Sequence, residues 1–402
     1  MAVLRRRPGA AAAAPTTPRA DGAVRFYATC PRGLAAALAE ELTALGAQEA
    51  RADDAGVSFE GPFELAYAAN LESRLATRIL WRQASFPYRN ENDIYEGAKA
   101  VRWHAHFGVD RTFKVETNGV KAPVKSLDFI TLKVKDAVAD VFREALGKRP
   151  DVSPREPDVR VHVFLDATTC TLYLDTSGEP LFKRGRREQV GEAPLKKNLA
   201  AGLLRLAGWT PEHALLDPMC GSGTILVEAA EMALALAPGR DRPFGFENLN
   251  RFDAAKWAEV KAAGLARAQS VAPRRVYGSD LYGRSVEGAR ANLRDMGLEG
   301  VVTLKQANLL ELSAPAGSGF IVTNPPYGVR LGEKESLAKF YPELGHLLKQ
   351  KFAGWNAYIL SGDTDLPKLI RLSATKRTVL YNGAIECRLY EYRMVAGANR
   401  RP

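Results

Sequence analysis

Five consecutive residues, Asn324-Pro325-Pro326-Tyr327-Gly328, put a side-chain amide, a main-chain carbonyl and an aromatic ring into one short stretch. They follow Phe320-Ile321-Val322-Thr323, a β-branched run that reads as a buried parallel strand. Neither proline can donate to a ladder and each forces its predecessor into an extended conformation, so the chain leaves the strand stiffly. This set suits an exocyclic amino group on a planar base. The Asn324 oxygen and the Pro325 carbonyl can accept its two hydrogens while the face of Tyr327 stacks on the ring, with Pro326 bracing the corner. Accepting both hydrogens draws the nitrogen lone pair out of conjugation and aims it at an electrophile, which is catalysis by positioning and electrostatics. Taken alone, the same residues also describe a strand-terminating turn.

A second stretch supplies the electrophile's site. Asp217-Pro218-Met219-Cys220-Gly221-Ser222-Gly223-Thr224 lies where a strand gives way to a helix, and its glycines let the backbone approach a ligand at a helix N-terminus. No lysine stands at the phosphate-cradling position and no third glycine completes a dinucleotide fingerprint. An amino acid joined to a nucleoside fits instead, as in S-adenosylmethionine. Asp217 is placed for the methionine end, and Asp280, ending the next strand, for the ribose hydroxyls. Asp241 is nearer the usual spacing, but Gly239-Arg240-Asp241-Arg242-Pro243 reads as loop. Asn308, after the third strand, is placed for the adenine amino group, although it also reads as a loop-capping residue. Leu281 and Leu309, next to these polar groups, and Asn324 are counted with the cofactor site. Cys220 has no histidine nearby in sequence and reads as a small buried filler.

The chain carrying these motifs has 402 residues, enough for two or three domains, and a net charge of +10 that favours a polyanionic partner such as nucleic acid. Cys30, Cys170, Cys220 and Cys387 are widely scattered, which argues against a metal site or disulfide framework and for a reducing, cytoplasmic setting. No run approaches 18 apolar residues, so no membrane span is expected.

The elements that must position the motifs fall into blocks. Residues 1–22 read as a disordered arginine-bearing arm. Residues 23–85 alternate strands and helices, with a helix over 34–45 stopped by Gly46. Residues 86–176 hold an alternating strand at 112–117, a polar loop with Lys121 and Lys125, an amphipathic helix from Leu127 carrying Lys133, and two strands, 159–165 and 171–175. The linker 177–193 contains Lys183-Arg184-Gly185-Arg186-Arg187, a concentrated positive patch suited to phosphates. With Lys121, Lys125, Lys133 and Arg330 these cations make the expected RNA-binding set. Residues 194–396 alternate strands and helices as in a parallel sheet covered on both faces, interrupted by a long polar insertion at 238–272. They end in two strands joined at Asn382-Gly383, a hairpin turn, before a tail at 397–402.

The combination resembles the class I S-adenosylmethionine methyltransferases that act on amino groups. More narrowly, the linker with Glu192-Ala193-Pro194-Leu195-Lys196-Lys197-Asn198, the stretch from Asn324 to Gly332, and Tyr381 to Cys387 resemble the THUMP-containing RNA guanine-N2 methyltransferases, most of all the bacterial large-subunit ribosomal RNA module. The resemblance implies an α/β chain. Its C-terminal part would be a Rossmann-like domain with a mostly parallel seven-stranded sheet and a terminal antiparallel hairpin, preceded by ferredoxin-like and THUMP α+β modules. It also implies that Pro194, Leu195 and Asn198 help close the cofactor site. Position 308 departs from it, being Asn where Asp is usual. No second methyltransferase module follows, so a single modification is expected, by an enzyme for which a monomer is favoured. A tRNA guanine-N2 enzyme, an adenine-N6 enzyme and a non-catalytic RNA-binding or assembly protein are the alternatives.

Overall fold

The computed structural model describes residues 22–184, 195–270, 275–325 and 333–395. The expected basic arm, the C-terminal tail, and Pro194, Arg186, Arg187, Pro326, Tyr327 and Arg330 lie outside them.

The first half is one seven-stranded sheet, ordered β2-β3-β1-β4-β7-β6-β5. Its strands are β1 (Val24–Thr29), β2 (Gln48–Ala52), β3 (Gly56–Gly61), β4 (Arg78–Pro87), β5 (Phe113–Gly119), β6 (Val159–Leu165) and β7 (Thr169–Asp175). Helices α1 (Ala35–Ala44), α2 (Leu65–Glu72), α3 (Glu91–Lys99) and α4 (Leu127–Leu146) accompany it. Local signals set the helix ends. Asn90 accepts from the main-chain N–H groups of Asn92 and Asp93 to start α3, Ser126 accepts from Phe129 to start α4, and Gly147 ends α4 at φ +69°. The two blocks expected on either side of residue 85 share this sheet, because the ten-residue β4 pairs antiparallel with β1 on one side and β7 on the other. Strand β2 was not expected. It is an exposed edge strand of Gln-Glu-Ala-Arg-Ala, with no apolar alternation to betray it.

The second half holds another seven-stranded sheet, ordered β10-β9-β8-β11-β12-β14-β13. It comprises β8 (Ala214–Asp217), β9 (Val276–Asp280), β10 (Val302–Gln306), β11 (Gly319–Thr323), β12 (Trp355–Ser361), β13 (Lys376–Asn382) and β14 (Ile385–Arg393). The first five are parallel, and β13 and β14 form the antiparallel terminal hairpin. Helices α5 (Lys197–Ala207), α6 (Thr224–Ala233), α7 (Ala254–Ala266), α8 (Gly283–Asp295), α9 (Glu333–Lys351) and α10 (Leu366–Leu369) belong to this half in sequence. The strand order reverses between β8 and β11, which opens a crevice at their carboxyl ends.

The polar insertion, described over residues 238–270, is helical around Trp257 as expected and is anchored in the first half. Phe244, Phe246, Leu249 and Trp257 belong to the core of the first half, where the Phe246 ring lies 4.5 Å from Tyr67 and 5.1 Å from Trp257. Main-chain bonds from Gly239 to Leu71 and from Phe246 to Thr176 seat it there, each at 2.9 Å. Leu34, from the first half, is in turn buried in the core of the second, against Gly202, where an added Cβ would lie 2.4 Å from it. The halves are therefore interlocked by exchanged apolar anchors.

Candidate functional site

Strand β8 delivers Asp217, and the chain then turns through Gly221 and Gly223, at φ +52° and +81°, into α6. Both angles lie in the left-handed region that glycine enters freely. The turn is tied to its neighbours at three points. Cys220 N–H donates to the Ser279 carbonyl at 2.9 Å, Gly221 N–H to Asp280 Oδ2 at 3.0 Å, and Asn292 Nδ2 to the Ser222 carbonyl at 2.9 Å. A Cβ on Gly221 would meet nothing within 4 Å, so open space borders the turn.

Asp217 is 2% exposed, and its Oδ1 accepts from Thr323 Oγ1 at 2.8 Å and from Met219 N–H at 3.3 Å. Burial pushes its carboxyl up to about 7, the two hydrogen bonds pull it back, and the Asp280 charge adds to the rise. Asp280 is also buried, with Oδ1 accepting from Tyr282 N–H at 3.0 Å. Two carboxylates thus converge beside an open turn, which suits a ligand bringing a cationic amino acid and a ribose. Leu281 follows Asp280 and is 54% exposed, leaving an apolar surface at the same strand end. Thr323 is the last residue of β11 and Asn324 the next, half-buried, with Pro325 buried behind it. The amide expected to do chemistry therefore stands one residue from the bond that joins β11 to the glycine turn.

Several expected site residues are elsewhere engaged. Asn198 was expected at the cofactor; its Nδ2 donates to Thr77 Oγ1 at 3.0 Å and to the Leu75 carbonyl at 3.4 Å. It sits in the joint with the first half, because that face of α5 is the one packed there. Asn308 takes its capping role: Oδ1 accepts from Leu310 N–H at 3.1 Å and starts the short turn Leu309–Glu311. Leu309 is buried in the core cluster with Tyr341 and Leu344, while Leu195 is partly buried in the core beside β8. Cys220 is buried, and burial holds its thiol far above the ordinary range.

Arg184 was expected on phosphate. It is 4% exposed and bidentate on Glu228, at 3.1 and 2.6 Å, because α6 sets a fully buried carboxylate against it. Arg74 joins the same group from the first half, meeting Glu228 at 3.5 Å and Glu231 at 3.4 Å, and Arg240 meets Glu231 at 2.6 Å. Of these residues, Arg184, Glu231 and Arg240 line a cavity of about 860 Å3 at the joint. Lys183 lies at the surface, paired with Glu179 at 3.1 Å. Lys121 and Lys125 are exposed, and Lys133 lies over the rings of Tyr95 and Phe129. Sequence reading missed Thr323 and Asn292; a hydroxyl directly before Asn324, at a strand end, was the one available signal. Among the described residues no cluster of three His, Cys, Asp or Glu side chains could hold a metal, and no helix is long and apolar enough to cross a membrane.

Comparison with known proteins bears on this arrangement. Residues 184–391 match the model of the RMKL-like methyltransferase domain, residues 88–175 the THUMP domain and residues 25–80 the RlmL ferredoxin-like domain. The chain belongs to the RMKL-like methyltransferase family. A putative RNA methyltransferase of Synechocystis is 36% identical over 370 residues, covering 92% of this chain and 96% of the relative. A ribosomal RNA large subunit methyltransferase K/L of Shewanella loihica is 41% identical over 384 residues, 94% of this chain but 54% of the relative. The chain thus spans about half the length of that relative. Among solved structures, a putative methyltransferase complexed with SAH, SMU.472, superposes with a TM-score of 0.85 at 31% identity, covering 94% of this chain and 99% of that one. A predicted N6-adenine-specific DNA methylase of Listeria monocytogenes gives 0.84 at 29% identity, covering 92% and 96%. The methyl donor of this class I methyltransferase is S-adenosylmethionine, and the residues around Asp217, Gly221 and Asp280 fit it.

Proposed function

We infer that this methyltransferase modifies the exocyclic N2 amine of a guanine in RNA, with large-subunit ribosomal RNA the substrate. The observation that carries the reading is the Thr323–Asp217 bond, because it fixes the strand end bearing Asn324 against the cofactor turn at 2.8 Å. When bound, S-adenosylmethionine supplies an electrophilic methyl group. The chain's own part is positional. The Asn324 amide oxygen and the Pro325 carbonyl accept the two amine hydrogens, which holds the nitrogen lone pair toward the donor. The target base must leave its stack to reach them. The nitrogen sheds its proton to solvent after transfer, so no side-chain base is needed. The THUMP match and the net charge of +10 support an RNA substrate. The names of the Synechocystis and Shewanella relatives support RNA methylation and, for the latter, the ribosomal large subunit.

Nucleoside mapping by mass spectrometry, on ribosomal and transfer RNA from a strain deleted for the gene, tests the reading. Loss of N2-methylguanosine from large-subunit RNA is expected, restored by the wild type and not by Asn324→Ala, which still binds cofactor. Loss of N6-methyladenosine instead would move the target to adenine, as the Listeria likeness suggests, and loss confined to tRNA would move the substrate.

A further inference from the structure

Strand β10 is an edge of the second sheet, and Gln306 ends it directly opposite Asp280 in the parallel register. An exposed amide on an edge strand ordinarily faces solvent. Here its Nε2 donates to the Leu281 carbonyl at 3.2 Å.

That bond completes a clamp on the corner that follows β9. The Asp280 carbonyl accepts from Ala307 N–H at 3.0 Å, the Leu281 carbonyl accepts from Gln306, and Tyr282 N–H donates to Asp280 Oδ1 at 3.0 Å. Of the four polar groups in the peptide units 280–281 and 281–282, only the Leu281 N–H has no protein partner among the described residues. The Asp280 carboxylate is oriented from both sides, since its Oδ2 accepts from Gly221 N–H at 3.0 Å. An ionised carboxylate keeps lone pairs to spare for ribose hydroxyls after two such bonds.

Gly283 makes room for the amide. A Cβ there would lie 2.8 Å from Gln306 Oε1, and the next nearest atoms, at 3.4 and 3.7 Å, belong to the same amide. Gly283 opens α8 and its φ is not positive, so the close approach of Gln306 is what calls for glycine.

We propose that Gln306 is a positioning residue for the nucleoside half of S-adenosylmethionine. It acts through the Leu281 carbonyl rather than on the ligand. With that carbonyl held, the 281–282 peptide keeps its N–H on Asp280 Oδ1, and the carboxylate stays turned to the ribose. The proposal rests on the ribose lying at Asp280 and is independent of which base is methylated. An amide that merely strengthened the β9–β10 edge would weaken every ligand alike.

The test uses the full chain without RNA and two probes, S-adenosylhomocysteine and its 2′-deoxyribose analogue, titrated by calorimetry. The wild type should bind the deoxy analogue more weakly, and Asp280→Asn should shrink that penalty most. Gln306→Ala is expected to weaken S-adenosylhomocysteine about two- to tenfold, the worth of one hydrogen bond, and to shrink the deoxy penalty as well. Gly283→Ala should do the same by pushing the amide aside, without lowering the urea midpoint, because alanine is the better helix former. The double variant should bind no worse than either single one, since truncating Gln306 removes what the added Cβ would displace. Wild-type affinity in Gln306→Ala, an unchanged deoxy penalty in it, or additive losses in the double variant overturn the proposal. A wild type with no deoxy penalty, or one that Asp280→Asn leaves intact, would put the ribose elsewhere and take the proposal with it. If only the Gln306 and Gly283 variants keep the penalty, the ribose placement stands and the proposal alone fails.

Discussion

Thr323 Oγ1 donates to Asp217 Oδ1 across 2.8 Å, joining the ends of the two strands between which the sheet order reverses. One end leads into the glycine turn and the other into Asn324. A carboxylate that is buried and accepts from a hydroxyl is held in one rotamer, and so is its donor. The distance between donor site and acceptor amide is therefore set by a side-chain bond in addition to the ladder.

Thr323→Val keeps the shape and removes the donor. Stranding part of a buried carboxylate costs about 1–3 kcal/mol, so affinity for S-adenosylmethionine should fall by roughly 5- to 150-fold by calorimetry where that cost falls on the bound state. Thr323→Ser, which keeps the hydroxyl, should stay close to wild type. Equal affinity for the valine and serine variants would show that the bond does not organise the turn.

Asp217 also sets a pH dependence. Its carboxyl rises from 3.8 to about 7 on folding, chiefly by burial. The folded state then binds the extra proton, so this contribution to stability is complete below about 4 and is lost as pH climbs through 7. Urea unfolding should show the unliganded wild type losing stability relative to Asp217→Asn between those values. A cationic ligand favours the ionised form, so cofactor affinity of the wild type should rise as pH passes 7, and that of Asp217→Asn should not. A flat wild-type profile would place the carboxylate outside the cofactor's reach.

Arg184 separates structural from RNA-directed charge. Removing one partner of a buried pair costs about 3–5 kcal/mol, because Glu228 would lose its bidentate partner. Arg184→Met should therefore lower the urea midpoint sharply and leave the salt slope of RNA binding unchanged. Lys183→Gln, at the surface, should do the reverse. A reduced slope in Arg184→Met would return that guanidinium to the RNA.

Much of this is legible in the sequence. Alternation and β-branching mark the parallel strands, and Asn382-Gly383 marks the terminal hairpin that β13 and β14 form. The glycine turn and the Asn324 corner announce themselves by residue type. What stayed hidden was long-range. Arg184 looks like a phosphate-facing cation in a linear string, and the family resemblance sets Asn198 at the cofactor. Only the packing of the two halves shows that Glu228 and Thr77 claim them. The insertion misleads for the same reason: Phe244, Phe246 and Trp257 are sparse among polar residues, and the surface they bury against lies nearly two hundred residues earlier, at Tyr67.

That insertion should carry stability for both halves. Trp257→Ala removes a ring that touches Tyr67, Phe244 and Phe246, with centres 5.1–6.0 Å apart. A loss of about 3–5 kcal/mol is expected, in a single unfolding transition followed by far-ultraviolet dichroism. Two separated transitions, with only one shifted, would show that the insertion does not couple the halves.

The two glycines of the turn should respond differently to alanine. Both hold left-handed angles, so each substitution carries a backbone cost of about 1–2 kcal/mol. At Gly223 the new Cβ would lie 3.0 Å from the Cβ of Ala289, pressing α6 against α8, and the loss of stability should exceed that backbone cost. At Gly221 it would meet no protein atom and would instead fill the open space beside the turn. Gly221→Ala should therefore weaken cofactor binding by more than its stability loss accounts for, and Gly223→Ala should show the opposite balance. Comparing unfolding midpoints with S-adenosylmethionine dissociation constants for the two variants decides it. Should Gly221→Ala bind cofactor as the wild type does, the open space would belong to solvent and the donor would lie elsewhere along the strand ends.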